Sequence, residues 1–252
     1  MRKQARILGI VLGALVAAAC GDNGEGSAGT AGSGGAGGAA GSGGSGGTST
    51  STVTGVVVTR DQAEDPVQGA TVAVFGTQIS ATTNASGQFT LQNVPNGEVF
   101  FTTAANGNWG IVDFYDVPDE TGGGIDLGVI PDSEITLLAE ALERPIDPAK
   151  GAVDITYEDA AGGETGTISA SSDDPFTFDL AEFPVVQDTV IADDEGYADL
   201  IFTSVDPSSG ITAAVTGAAG ITNCQVDQSA ETTYPIIAGS ITIVYAWCTP
   251  VP

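Results

Sequence analysis

Short apolar runs that alternate with polar residues, each closed by a turn signal, constrain the fold of this chain most strongly. The turn signals lie at 84–87 and 94–97, where Asn, Pro and Gly cluster. Period-two alternation over runs this short is typical of antiparallel strands with one buried face. The segment from 52 to 107 therefore predicts an antiparallel β-sandwich, and its alternating pairs are Val56 and Val58, Val72 and Val74, Phe89 and Leu91, and Val99 and Phe101.

The same segment resembles the carboxypeptidase regulatory-like domain, a transthyretin-like or CNA-B-like sandwich. The family pattern is carried by Gly55 and Val57, by Pro66, Val67, Gly69, Ala70 and Val72, and by Thr83 through Gly97. These positions are turn glycines and core apolar residues, so the resemblance implies a fold and a supporting role. In metallocarboxypeptidases such domains accompany a separate catalytic domain, and we expect no such domain in this sequence.

The N-terminus predicts export. Met1 to Arg6 is basic, and Ile7 to Ala19 is an uninterrupted apolar run. This run is shorter than the roughly 20 residues of a membrane-spanning helix and suits a secretory signal. The small residues before Cys20 resemble the bacterial lipobox, although that family prefers Leu where Ala17 stands. The resemblance implies a lipidated Cys20 at the mature N-terminus, with acyl chains giving stable membrane anchoring. The alternative is an ordinary signal cleaved after Ala19, which leaves a free thiol.

The segment after Cys20 predicts a tether. Residues 21 to 47 contain 14 glycines among 27 positions, and the remainder is mostly Ser and Ala. Such a composition cannot bury a core, so we expect disorder from 20 to 52. Gly21 stands where Asp would signal retention at the inner membrane. We therefore expect a bacterial cell-envelope protein, with the outer membrane slightly favoured.

Cysteine counting supports the lipid interpretation. Three cysteines are an odd number, and lipidation of Cys20 leaves Cys224 and Cys248 as an even pair in an oxidising compartment. We predict a structural disulfide between them.

A connector and a second β unit follow the first sandwich. In the connector, Asp132 or Ser133 is the expected N-cap of a short helix at about 132–143 that ends at Arg144 and Pro145. The second unit reads as a degenerate copy of the first. Gly55 corresponds to Gly151 at a spacing of 96, while Leu91 and Val94 correspond to Phe202 and Val205 at a spacing of 111. Chance alternation of β-rich sequence is the alternative.

The predicted fold class is thus all-β, with two small antiparallel sandwiches joined by a connector with one short helix. The expected organisation is a signal peptide at 1–19, the lipidated cysteine and tether at 20–52, a regulatory-like sandwich at 53–105, the connector at 106–149 and a second sandwich at 150–252.

The charge balance and the absence of histidine exclude several function classes. The chain has 32 Asp and Glu against 6 Lys and Arg, which opposes binding to nucleic acid. It has no histidine, which removes His-dependent nucleophilic catalysis and His-ligated zinc. We predict a non-enzymatic protein without a cofactor, acting in structure, adhesion or binding. Its partners would be the membrane through the lipid anchor, and a surface glycan or an envelope protein.

Two alternatives stay open. Acidic clusters could bind calcium, with Asp193, Asp194 and Glu195 as candidates that lack the EF-hand loop pattern, or could supply an unrecognised carboxylate hydrolase. Trp109 and Tyr115 could contact a carbohydrate, although large apolar side chains usually fill cores. A Lys150–Asn223 isopeptide bond is conceivable, but we expect an intact mass without loss of ammonia.

Overall fold

The computed structural model describes residues 49–61, 63–179, 181–193, 195–226 and 232–251. Cys20, the predicted signal peptide at 1–19 and the glycine-rich tract lie outside the described residues. The fold is all-β with one helix in the described ranges. The first unit comprises β1 (Thr50–Thr59), β2 (Thr71–Val74), β3 (Ser80–Thr82), β4 (Gln88–Pro95), β5 (Gly97–Ala104), β6 (Asn108–Val117) and β7 (Ile125–Pro131), and the helix α1 (Asp132–Ala141) follows it. The second unit comprises β8 (Gly151–Glu158), β9 (Thr165–Ile168), β10 (Phe176–Phe178), β11 (Pro184–Val186), β12 (Ala198–Val205), β13 (Ser208–Ile211), β14 (Ala213–Thr216), β15 (Thr222–Val226), β16 (Tyr234–Ile236) and β17 (Ser240–Pro250).

The first unit is a two-layer sandwich. One layer has β1 at its centre, antiparallel to β4 and parallel to β7. The other layer runs β3-β2-β5-β6. The inward face of β1 comprises Val53, Gly55 and Val57. Glycine is required at position 55 because a Cβ would collide with the Ile125 carbonyl oxygen and lie 2.8 Å from the Phe89 ring. Strands β6 and β7 fall in the stretch expected to be a connector, and they pair with β5 and β1.

The second unit repeats this pairing pattern. Its first strand, β8, is antiparallel to β12 and parallel to the last strand, β17. Strands β9 and β14 pair as β2 and β5 do, and β15 pairs with β17 as β6 pairs with β7. Strands β10 and β11 extend the β12 edge of the layer.

A bulge occurs at the same place in both units and aligns their sequences. In β4 an extra residue separates the pairs made by Leu91 and Val94 with β1, and in β12 one separates the pairs made by Phe202 and Val205 with β8. The left-handed residues are Asn93, with φ 58°, and Ser204, with φ 59°. This agrees with the predicted spacing of 111.

The predicted spacing of 96 between the first strands is wrong. Val94 pairs with Ser51, and Val205 pairs with Gly151, so the equivalent positions are 100 residues apart. Gly55 and Gly151 are not equivalent positions, because a side chain at each would meet different neighbours. Gly55 lies under Phe89, whereas a Cβ at Gly151 would lie 2.6 Å from Ile236. The shared bulge and pairing order support the predicted duplication.

The two units share one hydrogen-bonded network of strands. Residues 240–242 of β17 pair in parallel with residues 110–112 of β6. Phe100, on the outer face of β5, reaches the second core and meets the Tyr234 ring at 5.9 Å between centroids. Helix α1 covers the opposite face of the joined sheet, where Ile135 and Leu138 pack with Trp109 and Ile201.

The predicted helix is present and begins within the predicted range, but its N-cap residue and its C-terminal end differ from the prediction. Its N-cap is Pro131, whose side chain has no atom that can accept a capping hydrogen bond. Asp132 is therefore the first helical residue and not the N-cap. It ends earlier than Arg144 because Glu143 adopts a left-handed conformation with φ 53°. Within the described ranges, no helix is long and apolar enough to cross a membrane.

Candidate functional site

Polar side chains lie in a row across four neighbouring strands of the joined sheet. We call this set the acidic row: Asp113 on β6, Tyr245 on β17, Asp154 and Thr156 on β8, and Asp199 on β12. The strand registers place them on one face, because Tyr245 and Asp199 are both partners of Thr156. This is the face that α1 covers further along, where Ile243 and Ile201 flank Asp154.

Asp113 is buried, and its carboxylate accepts hydrogen bonds. Its Oδ1 accepts from the Phe114 backbone N–H at 2.8 Å and from the Tyr245 hydroxyl at 3.2 Å. Burial nevertheless raises the pKa of Asp113, and the charge of Arg60 only partly opposes this. The same burial raises the pKa of Tyr115. Asp113 therefore holds its proton to a higher pH in the folded protein than in the unfolded chain.

Asp154 and Asp199 form an interacting acidic pair. The Asp154 side chain is 1% exposed, and its Oδ1 has no hydrogen-bond partner among the described residues. Burial, followed by the charge of Asp199, raises the pKa of Asp154 well above its ordinary range. Burial raises the pKa of Asp199 to about 7. Two such neighbours do not ionise independently at neutral pH.

Thr156 contributes an unpaired hydroxyl to the same place. It is 4% exposed and lies directly across from Asp199, where its hydroxyl is close enough to lower the pKa of that carboxyl, but its Oγ1 makes no hydrogen bond of good geometry among the described residues. Polar atoms buried without a partner are rare in native folds, and each calls for an explanation.

The described basic side chains all interact away from the acidic pair. Arg60 donates to the Asp126 carbonyl, Arg144 donates to the Asp174 carbonyl, and Lys150 pairs with Asp206. The pair is therefore not neutralised by a described Lys or Arg.

The predicted aromatic ligand residues are placed differently from one another. Trp109 is 5% exposed and packs in the core under α1, so its ring faces are not available to a sugar. Tyr115 is partly buried, and its hydroxyl donates to the Asp126 carbonyl at 3.5 Å. Trp247, which sequence reasoning passed over, is partly exposed on β17, two residues after Tyr245.

The candidate calcium residues lie in the turn before β12. The Asp193 Oδ1 already accepts the backbone N–H groups of Glu195 and Tyr197 at 2.9 and 2.8 Å. Glu195 is exposed, and Asp194 lies outside the described residues. This hydrogen bonding is that of an ordinary Asx-type turn.

The predicted disulfide is present between Cys224 and Cys248, which face each other on β15 and β17. Glu164 lies beside it, fully buried, with its carboxylate within 4.8 Å of both sulfur atoms. One Glu164 oxygen accepts from the Thr222 hydroxyl at 2.7 Å. The sulfur atoms are bonded to each other, so this group forms no metal site in the oxidised protein.

The hypothetical isopeptide partners lie at opposite ends of β17. The Lys150 carbonyl accepts from Gly239, just before the strand, whereas Asn223 pairs with Thr249 near its end. A Lys150–Asn223 bond is therefore ruled out by the topology.

Sequence reasoning missed Asp154, Thr156 and Asp199 as a group. A signal was available, because "VDIT" and "YADLIF" place an acid inside runs that otherwise read as buried strands. What the sequence could not supply was the register that brings the two runs side by side.

Comparison with solved structures returned distant likenesses. The Bacillus anthracis TIE protein is 17% identical, with a TM-score of 0.27, over 79% of this chain and 34% of that one. This chain therefore spans about a third of the length of that protein. The minor pilin GBS52 of Streptococcus agalactiae is 13% identical, with a TM-score of 0.23, over 80% of this chain and 96% of that one. A streptococcal ancillary pilin is 13% identical, with a TM-score of 0.23, over 80% and 63% of the two chains.

No curated protein sequence matches the chain. The profile of one domain family does match, over residues 53–110, and this agrees with the resemblance drawn from the glycine and apolar spacing. The matching family is the CarboxypepD_reg-like domain, and the matched stretch runs from β1 into the start of β6.

Proposed function

We propose that the protein is a lipid-anchored component of a bacterial cell envelope, with a non-enzymatic structural or binding role. The N-terminal sequence supports the proposal most strongly. A basic segment, an apolar run and then the small residues Ala17 to Ala19 precede Cys20. A glycine-rich tract then leads to β1 at Thr50. In this arrangement the tract holds two joined sandwiches clear of the lipid surface.

The buried state of the acidic row supports a non-enzymatic role. A general acid or base must reach the proton it transfers. Asp113 and Asp154 are 4% and 1% exposed, and Asp154 is flanked by isoleucines. The chain also lacks histidine, the most frequent general base. The carboxylates serve better as internal polar groups than as groups that act on a substrate.

The anchor is tested with the full chain expressed in a bacterial host. Wild-type protein should partition into the detergent phase and carry an acylated N-terminal cysteine by mass spectrometry. Cys20→Ser should move the protein to the aqueous phase, whereas Gly21→Ala should leave it in the detergent phase. A mature protein that begins at another residue, or a Cys20→Ser variant that still partitions with detergent, would contradict the anchor.

Carbohydrate binding is a second candidate, favoured by Tyr245 and Trp247. Both are partly exposed and lie two residues apart on one face of β17, and Tyr245 is itself a member of the acidic row. Partly exposed aromatic rings can stack on a sugar, and Asp199 is the carboxylate of the row that is exposed enough to hydrogen-bond it. A glycan array should show binding that Trp247→Ala removes and that Phe183→Ala, which alters an exposed ring elsewhere, retains. Absence of glycan binding by the wild type would leave the structural role. Turnover abolished by Asp199→Asn alone would instead indicate a hydrolase.

A further inference from the structure

We propose that Asp154, Thr156 and Asp199 form a binding site for a calcium ion on the covered face of the sheet. The site is distinct from the turn at 193–195 that the sequence suggested, and it does not depend on the membrane anchor. It accounts for three features of this face, namely an acidic pair, an unpaired hydroxyl and the absence of a described basic neighbour.

The strand register brings the three side chains together. Thr156 and Asp199 are directly paired across β8 and β12. Side chains at such positions are about 4.5–5.5 Å apart at Cβ. Asp154 lies two residues before Thr156 on the same face of β8, and it is close enough to Asp199 for their charges to interact. Two carboxylates and a hydroxyl thus converge from two adjacent strands.

Unpaired atoms in the group point to a missing partner. Asp154 Oδ1 and Thr156 Oγ1 are buried without a hydrogen bond among the described residues. The Thr156 hydroxyl lies close enough to Asp199 to lower the pKa of that carboxyl, but the two groups make no hydrogen bond of good geometry. Buried oxygen atoms that share one face and lack good hydrogen bonds can coordinate a cation.

Charge favours the same occupant. The flanking side chains Ile201 and Ile243 are apolar and fully or nearly fully buried. An uncompensated carboxylate in such surroundings is costly and is usually paired or bound to a metal ion. The described arginines and Lys150 all interact elsewhere. A divalent cation would balance both carboxylates at once.

The donor set selects calcium among common cations. Carboxylate and hydroxyl oxygens suit hard ions, and calcium accepts irregular coordination by 6–8 oxygens that include water. Magnesium requires near-ideal octahedral geometry and gives up its water reluctantly. Asp199 is only partly buried, so it gives the ion and its remaining water ligands an entry from solvent. A site with two carboxylates corresponds to weak affinity, on the order of 0.1–1 mM, as in extracellular modules.

The test measures the melting temperature of the full chain with CaCl2 near neutral pH, with equilibrium dialysis of calcium for stoichiometry. At about 10 mM calcium the wild type should gain roughly 3–10 °C, the shift expected for this affinity and chain length. Magnesium at the same concentration should give less than half of that shift. Dialysis should find one more bound calcium ion in the wild type than in Asp199→Asn.

Three variants separate the site from the acidic surface. Asp199→Asn and Thr156→Val should both lose the calcium shift, and the valine change does so without altering charge. Asp119→Asn, an exposed acid in a turn, is the charge-matched control and should respond as the wild type does. Circular dichroism verifies that each variant is folded. If the wild type does not respond, or if Asp199→Asn and Thr156→Val respond like the control, calcium binds only the general surface and the site is refuted.

Discussion

Asp113 makes the free energy of unfolding depend on pH. It is enclosed by Tyr245 from β17, Tyr115 from its own strand and Arg60 from the end of β1. Burial raises its pKa in the folded state, so the folded protein holds a proton that the unfolded chain releases above about pH 4. In that window the folded state binds more protons, and the free energy of unfolding therefore falls as pH rises.

We expect Asp113→Asn to reduce this dependence on pH. The amide imitates the neutral acid and can still accept from the Phe114 N–H and the Tyr245 hydroxyl. Urea denaturation at pH 5 and pH 8 should show a smaller difference in the free energy of unfolding than in the wild type. Asp119→Asn removes an exposed charge and should leave the difference nearly unchanged. An equal or larger difference in Asp113→Asn would mean that the carboxylate is ionised in the folded protein.

The sequence predicted correctly which residues are buried where local alternation determines burial. It failed where burial depends on the neighbouring strand. Phe89, Leu91, Val99 and Phe101 alternate and are buried as predicted. On β1 the buried residues are Val53 and Val57, whereas Val56 and Val58 are only partly buried. A run of three valines does not show by itself which alternate residues face the core. On β1 the core-facing side is the one on which Gly55 lies against Phe89.

At the scale of elements, the end of α1 depends on an unusual residue. The Glu143 N–H donates to the Glu140 carbonyl and the Arg144 N–H to the Ala139 carbonyl, which is the Schellman pattern. The residue in the left-handed position is normally glycine, but here it is Glu143 with φ 53°. The sequence predicted the helix but not its end, because no glycine marks the position.

We therefore expect Glu143→Gly to stabilise the protein by about 0.5–1 kcal/mol. Glycine adopts the left-handed conformation without the steric cost that a Cβ brings. Glu140→Gly is the matched control, since it removes the same side chain from the helix interior and should destabilise by about 1 kcal/mol. Chemical denaturation measures both. Destabilisation by Glu143→Gly would show that the glutamate side chain contributes more than the backbone strain costs.

The β15–β17 pair carries the disulfide, whose energetic effect follows from chain length. Cys224 and Cys248 are separated by 24 positions, and closing a loop of that size in the unfolded chain corresponds to about 3.5 kcal/mol. The double change to alanine should lower the free energy of unfolding by about this amount. Reduction of the wild type with dithiothreitol should give a similar loss. A loss below about 1 kcal/mol in both would show that the reduced, unfolded chain is already restricted.

At the scale of the whole molecule, the two units are related by pattern and joined by contact. The sequence predicted two sandwiches and the spacing of 111 at the bulge, because each unit carries its own local alternation. It did not predict the pairing of β17 with β6, since that pairing depends on a contact between residues more than a hundred positions apart. The acidic row was missed for the same reason, as it exists only in the joined sheet.

The joined sheet predicts that both units unfold together. Phe100 belongs to β5 of the first unit, yet it packs against the second core, with its ring 5.2 Å from that of Phe114 and 5.9 Å from that of Tyr234. Phe100→Ala should cost about 2–3 kcal/mol, below the value for a fully buried phenylalanine because the ring is partly exposed. More importantly, it should weaken the coupling between the units.

Differential scanning calorimetry distinguishes the coupled and uncoupled cases. The wild type should show one transition whose calorimetric and van't Hoff enthalpies agree, and Phe100→Ala should show two resolved transitions. Phe183→Ala removes a ring that is 54% exposed on the second unit and should keep the single transition. Two transitions in the wild type would mean that the three-residue β6–β17 pairing and the Phe100 contact are too weak to couple the units. The sandwiches would then behave as independent modules on one chain.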